Sequence, residues 1–187
     1  MNTRPTKYEP CGKVPEEHSE WPKGPDGADD MARLPRIYLE TTMFNYYFDK
    51  DREAHPDTVK LFEEIAAGKY EAYTSKYVIG ELEETRGDKR NKMLDLIPKY
   101  GISILEEKDE ASRLASIYIA EGVIPKDYRT DCLHIAVAAV NGLDMILSLN
   151  FKHIVSRRTE ELTGAINKMN GYKSVKIRPP TEVVEYE

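Results

Sequence analysis

From Pro35 onward, two kinds of segment alternate along the chain. Short apolar runs rich in β-branched and aromatic residues are typical of buried strands, and longer segments with apolar residues at helical spacing separate them. Asp57, for example, is predicted to cap a helix whose apolar stripe runs from Leu61 to Ala66. Glycines follow most of the predicted helices, where a left-handed residue is favoured: Gly68, Gly101, Gly122, Gly142 and Gly171.

This alternation predicts an α/β fold with a central, mostly parallel sheet covered by helices on both faces, a three-layer α/β/α domain. The predicted strands are 36–39, 70–74, 102–105, 145–148 and 175–177. The predicted helical segments are an aromatic-rich turn at 44–48, a helix after Asp57, one capped by Ser75, one near 93–97, one near 114–119, one at 130–141 and one at 160–170. The run from Leu133 to Val140 is too short for a membrane span and is predicted to be a buried helix.

Residues 1–34 differ from the rest because proline and glycine recur there and aliphatic residues are few. Such a segment cannot bury enough apolar surface to fold alone, so we predict a disordered or extended tail before a domain at 35–187. Met31 is an alternative start. A second interpretation is a segment that docks on its own domain or on a partner, with Trp21 as its anchor.

Composition limits the function classes further. The 187 residues are 40% apolar and 32% charged, with a net charge of −6, which argues against a nonspecific nucleic-acid coat protein but not against a nuclease with an acidic metal site. Cys11 and Cys132 form no disulfide pattern, and no segment is suited to a membrane or a signal peptide. We therefore expect a cytoplasmic protein with no membrane partner.

Polar side chains stand just after predicted strands or early in the helices that follow them: Glu40, Glu81, Asp131 and Asn150. In a parallel sheet these positions share one edge, where ligands bind in open α/β folds. Converging carboxylates repel unless a cation neutralises them, and oxygen ligands suit Mg²⁺ or Mn²⁺. The pattern therefore indicates metal-assisted phosphodiester hydrolysis.

Each of these positions also has an ordinary interpretation. Glu81 lies in a charged run typical of a solvated helix face, and Asp131 suits the positive end of its helix. Asn150 suits a turn and Thr42 a helix N-cap. Position alone does not decide between these interpretations and a metal site.

Four motifs in order resemble the PIN-domain family and, within it, the VapC-like toxins, from Pro35 to the C-terminus. The segment 37–42 (Ile-Tyr-Leu-Glu-Thr-Thr) resembles the family's opening strand with its terminal acid. Residues 75–84 are similar to its second motif, with Glu81 in the acidic position. The segment 131–136 (Asp-Cys-Leu-His-Ile-Ala) is the most specific piece, and 148–154 resembles the closing motif, with Asn150 where Asp is common.

The resemblance implies a PIN-like fold and a Mg²⁺- or Mn²⁺-dependent endoribonuclease acting on RNA, usually a homodimer and often inhibited by a cognate antitoxin. Glu40, Glu81 and Asp131 would bind the metal, Asn150 would ligate weakly or position a water, and Thr42 would orient the carboxylates. Glu40 and Asn150 both depart from the family's usual Asp. These departures keep open an alternative, a catalytically weak or inactive PIN fold that binds RNA or a protein.

Several neighbouring residues have two interpretations. His134 is expected to be a packed, hydrogen-bonded core residue rather than a general base, and Cys132 a buried structural thiol. A basic cluster after Asn150 either contacts RNA phosphates or is solvated: Lys152, His153, Arg157 and Arg158. The aromatic residues at 44–48 are expected to pack in the core or at an interface rather than stack on bases.

Overall fold

The computed structural model describes residues 33–186. Its strands are β1 Arg36–Leu39, β2 Glu71–Ser75, β3 Ser103–Leu105, β4 Met145–Leu147 and β5 Lys176–Arg178. Its helices are α1 Thr41–Tyr46, α2 His55–Ala66, α3 Lys76–Glu83, α4 Asp88–Lys99, α5 Asp109–Ala120, α6 Arg129–Val140 and α7 Arg157–Met169, with 3-10 helices at Lys126–Tyr128 and Pro180–Glu182. Every strand predicted from the sequence is present within about two residues.

The strands form one five-stranded sheet in the order β3-β2-β1-β4-β5, and every pairing is parallel. The chain moves outward from β1 to β3, then returns to the other side of β1 for β4 and β5. Because parallel crossovers are right-handed, this reversal places α1–α4 on one face and α5–α7 on the other. Helix contacts agree, since α5 packs on α6 and α7 while α3 packs on α4. The predicted three-layer α/β fold is confirmed.

Strand β1 lies at the centre of the sheet, between β2 and β4, and its apolar residues follow from that position. Ile37, Tyr38 and Leu39 are each 0% exposed. A strand covered on both faces has no solvent side, so it needs a continuous apolar run rather than alternation. The first polar side chain after it, Glu40, therefore appears only where the strand leaves the sheet.

Helix α6 is the buried helix that the sequence predicted. Its residues from Cys132 to Ala139 are all buried. A helix that is apolar all round belongs inside a domain, and here it carries Asp131 in its first turn and His134 one turn later toward the sheet edge. Burial raises the pKa of the Cys132 thiol to about 11, which fits an unreactive structural thiol.

Some local predictions were wrong. Asp57 lies in the first turn of α2 but Ala54 precedes the helix, and Glu40 rather than Thr42 is the N-cap of α1. Helix α7 begins at Arg157, three residues earlier than predicted, because Ser156 accepts a hydrogen bond from the Thr159 N–H at 3.0 Å.

The glycine predictions are confirmed, since Gly68, Gly101, Gly122, Gly142 and Gly171 all have positive φ. The predicted tail at 1–34 falls almost wholly outside the described residues, with Trp21 and Cys11, and the division into tail and domain stays a prediction. Within residues 33–186, no helix has the length and apolar content needed to cross a bilayer.

Candidate metal centre at the carboxyl edge of the sheet

Glu40 stands where β1 ends, beside the end of β4, at the point where the strand order reverses. Its backbone N–H donates to Leu147 O at 3.1 Å, and the residue is 4% exposed. Its Oε2 accepts hydrogen bonds from Thr42 N–H at 3.1 Å, Thr42 Oγ1 at 2.5 Å and Ser148 Oγ at 2.9 Å. Thr42 Oγ1 in turn accepts from the Leu149 N–H at 2.8 Å. Three hydrogen bonds thus fix a buried carboxylate at the edge of the sheet.

Glu81, on α3, points back toward the same edge. Its Oε2 accepts a short hydrogen bond from Thr41 Oγ1 and lies 3.2 Å from His134 Nε2. About a third of its side chain, 34%, is exposed. Burial raises the pKa of Glu81, but His134 and Thr41 more than offset this and hold it below its ordinary value. Glu81 is therefore an ionised, partly accessible carboxylate, unlike the solvated residue that its charged run suggested.

His134 is buried, 1% exposed, and both of its ring nitrogens have partners. Nδ1 lies 2.9 Å from the Tyr38 hydroxyl, which lies 2.7 Å from Ser75 Oγ, and Nε2 faces Glu81. Burial lowers the pKa of His134, but the hydrogen bond to Glu81 and the charges of Glu40, Glu81 and Asp131 outweigh it, so the pKa is raised. The imidazole is the packed, hydrogen-bonded core histidine that the sequence predicted, and the nearby carboxylates favour its protonated form.

These side chains bring their ligand atoms to one place. One carboxylate oxygen each from Glu40 and Glu81 and one ring nitrogen of His134 lie within 4.8 Å of one another. We call these residues the glutamate cluster. The arrangement matches the spacing that a single cation needs, with hard oxygen donors in the majority.

Asp131 and Asn150 form the adjoining part of the edge. We call these two residues the aspartate pair, after Asp131, the one of the two that is a carboxylate. Burial raises the pKa of Asp131, while His134, His153 and Asn150 act in the opposite direction and Glu81 raises it further. Asp131 Oδ2 is buried and accepts no hydrogen bond from any residue of the described part. Asn150 Oδ1 accepts from the His153 N–H at 3.2 Å, which closes the turn after β4. A buried carboxylate oxygen without a donor is costly, and a cation would remove that cost.

The structure thus brings Glu40 and Glu81 together directly and sets Asp131 with Asn150 beside them. Sequence reasoning missed the hydroxyl groups that orient the carboxylates: Thr41 on Glu81 and Ser148 on Glu40. It did place Thr42 beside the first acid, where Thr42 hydrogen-bonds Glu40. The signal for the missed residues was their position next to a proposed ligand at a strand end.

The basic cluster is divided by the fold. Arg157 Nε donates to Glu161 at 2.7 Å, and Arg158 donates to the carbonyl oxygens of Val123 and Gly122 at 2.9 Å each. Lys152 and His153 instead lie beside Tyr128. The aromatic residues of α1 and the turn after it pack inward, as predicted, since Phe44 is 0% exposed.

Of the comparisons with known proteins, only the one with solved structures finds similar proteins. No protein-family model matches the sequence, and no curated protein matches it. Among solved structures, the chain is similar to VapBC2 from Rickettsia felis, solved bound to a DNA fragment from its promoter, with a TM-score of 0.49 and 13% identity over 77% of this chain and 98% of that one. It is also similar to VapC20 from Mycobacterium tuberculosis, described as a toxin that cleaves the sarcin-ricin loop, with a TM-score of 0.48 and 11% identity over 75% of this chain and 98% of that one. At such distance neither similarity informs about activity.

Proposed function

We propose that this protein is a Mg²⁺- or Mn²⁺-dependent endoribonuclease that hydrolyses RNA phosphodiester bonds at the carboxyl edge of its sheet. The observation that carries the proposal is the convergence of Glu40, Glu81 and His134, whose ligand atoms lie within 4.8 Å of one another, beside Asp131, whose Oδ2 accepts no hydrogen bond within 33–186. Carboxylates gathered at one strand edge are poorly explained by folding alone.

The residues fit a hard divalent cation. Glu40, Glu81 and Asp131 would hold it, and Asp131 is the group that gains most because its Oδ2 accepts no hydrogen bond within 33–186. Such an ion supplies a water of lowered pKa and a positive charge that offsets charge developing on the phosphate. Asn150, whose Oδ1 already accepts from His153 N–H, would orient Asp131 or a water rather than bind strongly.

The remaining side chains prepare the edge for this chemistry. Thr42 and Ser148 hold the Glu40 carboxylate in one orientation, and Thr41 does the same for Glu81. Tyr38 and Ser75 fix the ring orientation of His134. His134 is thus a packed core group whose protonated form the nearby carboxylates favour, and it takes no part in proton transfer.

The decisive experiment compares Asp131→Asn with Asp95→Asn, an exposed aspartate on α4. Purified wild-type protein should cleave single-stranded RNA with Mn²⁺ or Mg²⁺ and stop with EDTA. Asp131→Asn should abolish cleavage, whereas Asp95→Asn should leave it within about twofold, as surface changes usually do. Cleavage that persists in clean Asp131→Asn preparations, or without any divalent ion, would refute the proposal.

The alternative is a PIN-like binding module without catalysis, favoured by Glu40 and Asn150 in positions where the family usually has Asp. Calorimetric titration distinguishes the two, because a binding module of this kind would take up no Mn²⁺ at millimolar concentrations. From the same resemblance we propose that the protein forms a homodimer and is inhibited by a cognate antitoxin. Light scattering tests the first, and a small neighbouring reading frame whose product co-purifies with this chain tests the second.

A further inference from the structure

We propose that Tyr128 and Lys152 form a nucleotide subsite beside the metal centre, in which the Tyr128 ring stacks on an unpaired base and Lys152 pairs with the adjoining phosphate. The inference rests on the proposed function and names the form of its substrate, single-stranded RNA. Tyr128 lies outside the four motifs, and Lys152 lies in the closing motif 148–154 without being one of its proposed ligands. Its basis is a pair of packed rings, an ammonium group that makes no ion pair with a carboxylate of residues 33–186, and the position of both beside Asp131 and Asn150.

Tyr128 and His153 reach the same point from two directions. Tyr128 ends the 3-10 helix that leads into α6, where Asp131 is the third residue. His153 belongs to the turn after β4 and donates its backbone N–H to Asn150 Oδ1. Their ring centroids lie 3.7 Å apart with planes inclined by 33°. The stack therefore joins the segment that carries Asp131 to the segment that carries Asn150.

Part of the Tyr128 side chain is in solvent. Tyr128 is 39% exposed, although His153 packs against its ring and Lys152 Nζ lies over it. An aromatic side chain held by its neighbours loses little further freedom when a base stacks on it, so it makes an efficient platform. His153 is also close enough to Asp131 to affect its pKa, which places the platform near the proposed metal ligands.

Lys152 supplies positive charge at the same place. Its Nζ donates to the Tyr128 hydroxyl at 3.2 Å and lies 5.1 Å from the centroid of that ring. Within 33–186, it makes no ion pair with a carboxylate. Arg157 from the same basic run is neutralised by Glu161, and Arg158 is occupied by backbone carbonyl groups. Lys152 is thus the member of that run whose charge is available to a phosphate.

A base can stack on the Tyr128 ring only if its own π face is accessible, and a paired base in a duplex does not offer that face. Two other aromatic residues close to the sheet edge do not provide this surface, because Phe44 is buried and Tyr47 stacks within a cluster with Phe62 and Tyr100. Phe151 is 60% exposed but lines the groove between α7 and β5. The combination of platform and ammonium group therefore favours an unpaired strand at Tyr128.

Binding of a labelled short oligouridylate, measured by fluorescence anisotropy with EDTA present so that no cleavage occurs, tests the subsite. Tyr128→Ala should weaken binding about tenfold, and Tyr128→Phe should stay within about twofold because stacking needs the ring. Lys152→Gln should weaken binding roughly fivefold and reduce the slope of log K against log salt by about 0.7, the value for one contact to a single strand.

Matched controls separate the subsite from general surface effects. Phe151→Ala removes an exposed aromatic ring from the same turn, and Arg157→Gln removes a cation that is already paired with Glu161. Both should stay within about twofold of wild type. With an oligonucleotide that contains abasic sites, Tyr128→Ala should no longer weaken binding, whereas Lys152→Gln should weaken it as before. Misfolding would not produce this pattern.

Equal binding by Tyr128→Ala and wild type, or a loss for Phe151→Ala as large as that for Tyr128→Ala, overturns the subsite. Lys152→Gln changes an exposed side chain and keeps the test decisive if Tyr128→Ala unfolds. Wild-type protein that cleaves RNA while these variants bind normally refutes the subsite and leaves the proposed function standing. Wild-type protein that neither binds nor cleaves RNA refutes both.

Discussion

The glutamate cluster and the aspartate pair lie at the same edge of the sheet but differ in how their polar atoms are satisfied. Glu40 Oε2 accepts three hydrogen bonds, and Glu81 Oε2 contacts both Thr41 and His134. Asp131 Oδ2, by contrast, is buried and without a donor among the described residues. In the first region the Oε2 atoms of both glutamates have donors within the protein, whereas Asp131 Oδ2 in the second region has acceptor capacity that only a cation would use.

The two regions therefore differ in the cost of gathering polar groups at the edge. In the glutamate cluster the cost is repulsion between carboxylates, and in the aspartate pair it is the burial of an oxygen atom without a donor. The glutamate cluster offsets its own repulsion through His134, whose pKa is raised by the nearby carboxylates despite burial. In the aspartate pair, burial outweighs the opposing effects of His134, His153 and Asn150, so the pKa of Asp131 is raised. We therefore expect changes in the glutamate cluster to act on both folding and activity, and changes in the aspartate pair to act mainly through the cation.

Within the glutamate cluster, the largest expected effect is on activity at Glu40. Glu40→Gln should lower kcat/KM for RNA cleavage by about a hundredfold or more, because several kcal/mol of transition-state stabilisation depend on the cation. Glu40→Asp should keep similar or higher activity if the site tolerates the shorter acid that the resemblance leads us to expect. Glu83→Gln, on the exposed side of α3, is the control. Full activity in Glu40→Gln would exclude Glu40 as a ligand.

The second expected effect is on folding at His134. His134→Ala should lower the free energy of unfolding by about 2–4 kcal/mol, because it leaves a cavity and removes the counter-charge from Glu81. Tyr38→Phe should cost less, about 1–2 kcal/mol, since it leaves His134 Nδ1 and Ser75 Oγ without that hydroxyl. Urea unfolding measures both. A loss below about 0.5 kcal/mol in His134→Ala would mean that the counter-charge is not needed.

A third expectation concerns the aspartate pair and added metal. Mn²⁺ at about a hundred times its Kd should stabilise the wild-type fold by roughly 2.7 kcal/mol, a rise in Tm of roughly 5–10 °C for a domain of this size. Asp131→Asn should lose most of this rise while keeping nearly wild-type Tm without metal. An undiminished rise in Asp131→Asn would place the cation on the glutamate cluster alone.

The smallest expected effect tests Asn150. Asn150→Asp sets a second carboxylate beside Asp131, so the metal-free protein should lose about 1 kcal/mol of stability through like-charge repulsion. Added Mn²⁺ should more than restore it, and Mn²⁺ affinity by calorimetry should rise. A variant that is equally stable with and without the ion would show that Asn150 lies too far from the cation to matter.

The order of elements could be predicted because it depends on local patterns. Buried strands need continuous apolar runs such as Ile37–Leu39. Helices often end at a glycine with positive φ, and such a glycine, as at Gly122, can be found in the sequence directly. Local capping was harder to predict, because several nearby side chains compete for the same free N–H groups. Glu40 rather than Thr42 caps α1 for that reason, since its carboxylate accepts from the Thr42 N–H.

The sequence by itself determined the alternation of strands and helices, and it determined that Glu40, Glu81 and Asp131 stand where a parallel sheet gathers its strand ends. It could not decide which oxygen atoms are satisfied, because the donors come from positions far away in the chain. Ser148 reaches Glu40 across 108 residues, and His134 reaches Glu81 across 53. Only the tertiary structure showed that the glutamate cluster has hydrogen-bond donors for its Oε2 atoms while Asp131 Oδ2 has none among the described residues. The reason is that hydrogen bonds and charge interactions depend on distances that only the folded chain sets.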